Sequence, residues 1–344
     1  IISSNSKTSY NGNYGLNASW TLYNGNKRLK TIQQEKLNNQ VAELDVATSE
    51  NNIQESIAQV YIQILYAAES VKVNESTLQV SIAQRDRGQE LLNAGSIAKS
   101  DFAQLEAQVS TDRYQLVTAQ ATLEDYKLQL KQLLELDGEN EMNIYLPALS
   151  DENVLAPLPT KKDVYIRALS LRPEIEASKL NVEASELGIG IAKSSYLPTI
   201  SLSAGIGTNH TSGSDFTFGE QVKNGWNNSI GLSVSVPIFN NRQTKSAVQK
   251  AKLQYETSML SLLDEQKTLY KTIEGLWLDA NSAQQRYAAA NEKLKSTQIS
   301  YELISEQFNL GMKNTIELLT EKNNLLQAQQ EQLQAKYMAI LNTQ

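Results

Sequence analysis

The 344-residue sequence predicts a mainly α protein of long antiparallel helical hairpins with a small β part, built as an internal repeat. Three observations carry that prediction. Gly (16) and Pro (6) are scarce, so little interrupts the helical stretches. Some segments alternate strictly between apolar and small polar residues, the period of a strand. Finally, residues 15–37 match residues 231–253 without a gap. Gly15 meets Gly231, Tyr23 meets Phe239, Asn24 meets Asn240 and Leu37 meets Leu253, an offset of 216 (231 less 15). The offset persists downstream, where Tyr61 falls on Trp277, Gly95 on Gly311 and Asp101 on Glu317. A register held this far marks a duplication.

The strands come first in each copy. Leu16, Ala18, Trp20 and Leu22 oppose Asn17, Ser19 and Thr21. Ile200, Leu202, Ala204 and Ile206 oppose Thr199, Ser201, Ser203, Gly205 and Gly207. Ile230, Leu232, Val234, Val236 and Ile238 oppose Ser229, Gly231, Ser233, Ser235 and Pro237. The second-copy strands are expected at 197–207 and 229–239. One face is aliphatic and the other small and polar. A soluble sheet with one buried face fits this alternation, and so does a membrane barrel with lipid outside and water inside.

Long helices follow the strands. After the turn Tyr23-Asn24-Gly25-Asn26, no proline occurs from Lys27 to about Leu92, and Gly88 is the only glycine. Leu37, Val41 and Leu44, and later Ile53, Ile57, Val60 and Ile64, recur at spacings of three and four, the stripe of a helix that packs against others. Such a helix would be roughly 100 Å long at about 1.5 Å per residue. The chain turns at Ala94-Gly95-Ser96 and returns through about Leu136. The second copy repeats the plan, with a helix from about Gln243 to Asn309, a turn at Gly311, and a return from Asn314 to Leu341. The stripe is thin and rich in Ala, Ser and Gln, which suits a hollow helical tube wetted on both sides.

This gives three regions. Residues 1–136 form the first strand and hairpin, 137–163 a linker or equatorial segment, and 164–344 the second repeat, with a helix, two strands and the hairpin 243–341. Gly138, Pro147, Pro157 and Pro159 break the linker, and Met142-Asn143-Ile144-Tyr145 reads as a short strand. The register implies that a helix and most of a strand, the first-copy partners of the segment around 160–195, precede Ile1.

Composition narrows the function classes. A formal charge of −7 with scattered Lys and Arg disfavours nucleic acid. The chain has no cysteine, which removes disulfides, thiolate metal sites and Cys nucleophiles. No apolar run approaches the ~20 residues of a membrane-spanning helix. His210 is the only histidine and stands among Thr, Ser, Gly and Asn, so neither a metal site nor a triad is expected. Gly205-Ile206-Gly207 belongs to a strand, not a phosphate loop, and Asp151-Glu152 lies in the linker. The reading is of a protein with no enzymatic activity and no cofactor.

Leu171-Arg172-Pro173-Glu174-Ile175, then a helix, then Tyr196-Leu197-Pro198-Thr199-Ile200-Ser201 resembles the TolC-like family of outer-membrane efflux channels. Val236-Pro237-Ile238-Phe239-Asn240 is similar to that family's exit from barrel to helix; in the first copy Thr21 replaces the proline. The resemblance implies a homotrimer whose protomers each give four strands to one twelve-stranded β-barrel in the outer membrane of a Gram-negative bacterium. It also implies that the helices continue as a periplasmic tunnel. Leu16, Ala18, Trp20 and Leu22, Ile200, Leu202 and Ile206, and Ile230, Leu232, Val234, Val236 and Ile238 would then face lipid.

The same resemblance implies site residues. Ala94, Gly95, Ser96 and Ile97, with Leu310, Gly311, Met312 and Lys313, fall on the tips that meet a periplasmic adaptor protein. Glu317 and, at the next acidic position of the family, Thr320 fall on the tunnel gate, with Glu321 beside it and Asp101 as the first-copy partner of Glu317. Thr320 departs from the acidic pattern. Read from the residues alone, Gly95 and Gly311 allow the left-handed end of a helix, and Asp101 and Glu317 are first-turn acids favoured by the helix dipole. Tyr10, Tyr14, Trp20 and Trp226 lie near strand ends, where an interfacial aromatic belt would sit. The segment from Thr208 to Asn228 reads as a polar, outward-facing loop.

The expected function is a passive exit duct of a tripartite efflux or type I secretion system, served by an adaptor and an inner-membrane pump. The alternative is a soluble oligomeric coiled-coil scaffold. A periplasmic adaptor would need a lipoyl-like β domain, and no segment reads as one.

Overall fold

A computed structural model describes residues 9–136, 144–145 and 154–343. In chain order these form β1 (Asn11–Asn24), α1 (Lys27–Asn93), α2 (Lys99–Leu133), α3 (Lys161–Leu171), α4 (Pro173–Lys193), a 3₁₀ turn (Ser194–Tyr196), β2 (Thr199–Thr211), α5 (Phe218–Asn224), β3 (Asn227–Ser235), α6 (Gln243–Asn309) and α7 (Thr315–Thr343). The chain divides into two compact units, residues 1–45 with 173–266, and residues 46–172 with 267–344. Each unit therefore draws on both copies of the repeat.

The first unit holds the sheet. Its order is β1-β2-β3, antiparallel throughout. Leu16 stands across from Ile206 and Trp20 from Leu202, while Leu202 pairs Leu232 and Ile200 pairs Val234. Directly opposed residues share a face, so the three aliphatic rows form one surface. The register shifts between Thr21 and Tyr23, and this bulge puts Tyr23, rather than Leu22, across from Ile200.

Strand ends differ from expectation for identifiable reasons. The strand expected at 229–239 runs 227–235. Pro237 has no N–H to give a ladder, so Val236 and Ile238 lie beyond the strand. β1, with Thr21 in the equivalent place, continues through Asn24. β2 is longer than the expected 197–207, reaching Thr211. The expected loop 208–228 is an extension of β2, then α5, then the start of β3. α5 begins with a capping box, in which Thr217 N–H donates to Glu220 (2.9 Å) while Glu220 N–H donates to Thr217 Oγ1 (3.4 Å).

The turn from β1 into α1 requires glycine. Gly25 has φ +65°, and a Cβ there would meet the Ser194 carbonyl at 2.7 Å and Leu197 Cβ at 2.8 Å. α4 opens on Pro173 as its first residue, where the missing N–H costs nothing. It packs on the start of α1, and Gln34 donates to the Ala184 carbonyl (2.7 Å). A groove of about 460 Å³ beside it is lined by amides and hydroxyls such as Asn38, Asn181, Gln254 and Ser258.

The second unit holds the hairpin ends and a core of Ile62, Leu65, Val154, Ala283, Tyr287, Leu333, Tyr337, Ala339 and Ile340. Described residues of the connecting segment meet the long helices. Tyr61 donates to the Tyr145 carbonyl (2.7 Å), and its repeat partner Trp277 donates to the Pro159 carbonyl (3.0 Å). Lys161 lies over the Trp277 ring at 4.9 Å. Of the short strand expected at 142–145, Met142 and Asn143 lie outside the described residues, and Ile144 and Tyr145 are not strand. Within the first hairpin, a Cβ at Gly88 would sit 2.3 Å from Leu105 Cδ1, so the bare backbone of α1 gives Leu105 of α2 its place.

Candidate functional site

Three places concentrate the chemistry that packing alone does not use. The first is the pair of hairpin turns. In one, Gly95 N–H donates to Leu92 and Ser96 N–H to Leu91; in the other, Gly311 N–H donates to Phe308 and Met312 N–H to Gln307, at 2.8–2.9 Å throughout. Both glycines have φ +73°. These are matching Schellman ends, and a Cβ on either glycine would meet nothing within 4 Å. The flanks differ. Ala94 and Ser96 are small, whereas their partners Leu310 and Met312 are large and about 70% exposed (69% and 70%).

The sequence-expected gate residues lie just past these turns. Asp101 accepts from the Ala98 N–H (3.3 Å). Glu317 accepts from the Asn314 N–H (3.3 Å) and pairs with Lys313 (2.6 Å). The Lys313 hydrogen bond, then the Asn314 backbone, hold the Glu317 carboxyl below the usual glutamate value. Thr320 donates to the Ile316 carbonyl (2.8 Å), and Glu321 accepts from Ser300 (3.1 Å). The helix-capping role of both acids is thus realised within the chain.

The second place is a buried cluster that no sequence motif marks. Lys322 of α7 lies buried against Asp112 of α2 and Ser81 of α1, and hydrogen-bonds both; Ser81 also donates to Asp112. Gln108 completes the Asp112 shell (2.9 Å) and reaches Asn323 (3.3 Å). Burial pulls the Lys322 amine below the usual lysine value, and Asp112 opposes that shift. The cluster joins three helices from both hairpins. One signal could have revealed it: Lys322 aligns with Glu106, and Asp112 with Ala328. The charges sit where the two copies disagree.

The third place is the aliphatic face of the sheet. Leu16, Trp20, Ile230, Leu232 and Val234 are all more than half exposed in the single chain, Ile230 at 84%. Leu22 is somewhat less exposed, and Ile200 and Leu202 on the central strand are half-buried by their neighbours. No described helix covers this face; α5 meets its far end. Leaving six large side chains in water forfeits roughly 2 kcal/mol each, a total near 12 kcal/mol that rivals a domain's whole stability of about 5–15 kcal/mol. Among the described residues β1 and β3 are edge strands, each leaving a row of backbone groups open to further pairing.

No cluster of His, Asp and Glu suited to a metal ion occurs among the described residues. No described helix is long and apolar enough to cross a membrane, which says nothing of a β-barrel.

Comparison with known proteins agrees with this geometry. Residues 2–135 and 164–342 match the outer membrane efflux protein family. The outer membrane efflux protein BepC of Brucella suis biovar 1 is 24% identical over 294 residues, covering 85% of this chain and 61% of BepC. The outer membrane protein TolC of Escherichia coli K12 is 23% identical over 311 residues, covering 88% of this chain and 62% of TolC. The chain thus spans about three fifths of the length of these relatives. A crystal structure of CusC superposes with a TM-score of 0.81 at 18% identity, covering 98% of this chain and 80% of that one. With both hairpins, the sheet and the duplicated turns inside the match, the chain belongs to the outer membrane efflux protein family.

Proposed function

We propose that this chain is a protomer of an oligomeric exit duct in the outer membrane of a Gram-negative bacterium, passively conducting substrates delivered by an efflux or type I secretion pump. The observation that carries the reading is the uncovered aliphatic sheet face with two open edges. A three-stranded sheet cannot close alone, since the smallest membrane barrels have about eight strands, and open edges are not tolerated in lipid. Strands from other protomers answer both demands, and a homotrimer of the kind the family resemblance implies supplies them. The duct is read as having no catalytic role.

In this reading Ala94–Ile97 and Leu310–Lys313 meet the periplasmic adaptor, with the exposed Leu310 and Met312 as its apolar anchors. Asp101, Glu317 and Glu321 from several protomers would ring the narrow end and favour cations. Fractionation tests the whole: heat-resistant oligomers in the detergent-soluble outer-membrane fraction are expected, and a soluble monomer or scaffold rejects the duct. Gly311→Trp tests the tip. Adaptor crosslinking should be lost while the oligomer persists.

A further inference from the structure

The segment between β2 and β3 folds against one particular side of the sheet. On β2 the aliphatic face is carried by even-numbered residues through Ile206, and Thr208 and His210 continue it. Thr208 Oγ1 donates to the Val222 carbonyl of α5 (2.9 Å). The His210 ring lies 5.0 Å from the Phe218 ring. Phe218 also meets Tyr14 edge to face at 6.3 Å, and Tyr14 is the next residue on this face beyond Leu16. Tyr14 pairs with Thr208, and Trp226 stands one step beyond the last β2–β3 pair, Gly207 with Asn227. The side-chain contacts of Tyr14, Thr208 and His210 with α5 thus lie on the aliphatic side, while at the strand end Thr211 N–H donates to Gln221 Oε1 (2.8 Å) and Asn209 lies against Gly225.

The spacing is informative. From Thr199 to Thr208 the strand rises about 30 Å at ~3.3 Å per residue. At the tilt usual for a membrane barrel this is roughly 23 Å of height, close to the ~25 Å apolar band of such barrels. The rung Tyr14–Thr208–Trp226 thus falls where hydrocarbon gives way to headgroups. Tyr10, Tyr14, Phe216, Phe218 and Trp226 are each more than half exposed there. Aromatic rings of this kind favour the zone with one apolar and one wet side.

We propose that α5, with Phe216, Phe218 and Trp226, is a lipid-docking foot that rests in the headgroup zone of the outer leaflet instead of lidding the duct. The inference rests on the reading of the aliphatic face as lipid-facing. The occupant follows from continuity: the aromatic patch extends the aliphatic rows without a break and carries the residue types that suit their rim.

Quenching of the full-length oligomer in liposomes tests it. In a background of Trp20→Phe, Trp226→Phe and Trp277→Phe, a single indole is placed by Phe218→Trp or by Leu232→Trp. A third protein keeps native Trp226 alone, so that α5 is unaltered in case Phe218→Trp fails to fold. The indoles at 218 and 226 should lose most emission to lipids brominated near the glycerol and little to aqueous iodide, and the indole at 232 should respond most to deep bromines. Iodide quenching at 218 and 226 without lipid quenching, while 232 still responds to lipid, overturns the foot and leaves the duct reading intact. No lipid quenching at any position overturns both.

Discussion

The two hairpins share a backbone almost residue for residue and differ sharply in side-chain chemistry. α1 and α6 each have 67 residues, beginning at Lys27 and Gln243 and ending at Asn93 and Asn309, all one offset apart. The positive-φ pair Gly25 and Asn26 recurs as Asn241 and Arg242, and Gly95 recurs as Gly311. Yet small Ala94 and Ser96 flank the glycine of the first tip, and large Leu310 and Met312 that of the second. The first acid completes half a capping box and the second a full one. A buried lysine in one copy answers to a glutamate in the other. Duplication has kept what sets the path of the chain, and the copies have diverged where they meet each other or something else.

The comparison breaks most severely at the buried pair. Lys322→Met alone leaves Asp112 buried without its cation, and removing one partner of such a pair costs about 3–5 kcal/mol. Adding Asp112→Leu should restore most of that loss, because an apolar pair of similar volume is often neutral or better. Denaturant unfolding checks this, and a double variant as unstable as the single would show that the pair does not act as a unit.

The strand-to-helix turns give the next largest effect. Gly25→Ala meets the Ser194 carbonyl and Leu197 as well as an unfavourable φ, and should cost about 2 kcal/mol or more. Asn241→Gly occupies the same backbone position in the other copy and should stay within about 1 kcal/mol. The helix starts after the tips sharpen the contrast further. Ala98 has N-cap geometry but no side-chain acceptor, whereas Asn314 Oδ1 accepts from Glu317 N–H (2.8 Å). Ala98→Asn should gain about 1 kcal/mol and Asn314→Ala lose about as much, read by thermal unfolding.

The smallest effect is electrostatic. Glu317 titrates below its unfolded value, so its contribution is present above the ordinary glutamate pKa of about 4.3 and is lost as pH falls through the depressed folded value. Glu317→Gln should therefore speed amide exchange in the first turn of α7 at neutral pH. That difference should shrink in acid, once the wild-type carboxyl is protonated.

Much of this was legible in the sequence. The long helices follow from missing breakers and a sustained register, and the tips from Gly95 and Gly311 at one offset. Two features were hidden for physical reasons. A helix of seven residues cannot show periodicity, so α5 is hidden in a polar segment, although Thr217 and Glu220 spell its capping box. Lys322 and Asp112 each look like solvated helix residues, because their partners lie on other helices far away in sequence. The end of β3 is not legible because alternation continues past Pro237, while the strand stops at Ser235.

The most direct test of the duct is conductance of the purified full-length oligomer in a planar bilayer. Discrete, long-lived current steps with a cation preference that falls in Glu317→Gln are the predicted result. Inserted oligomers that pass no current would contradict the account.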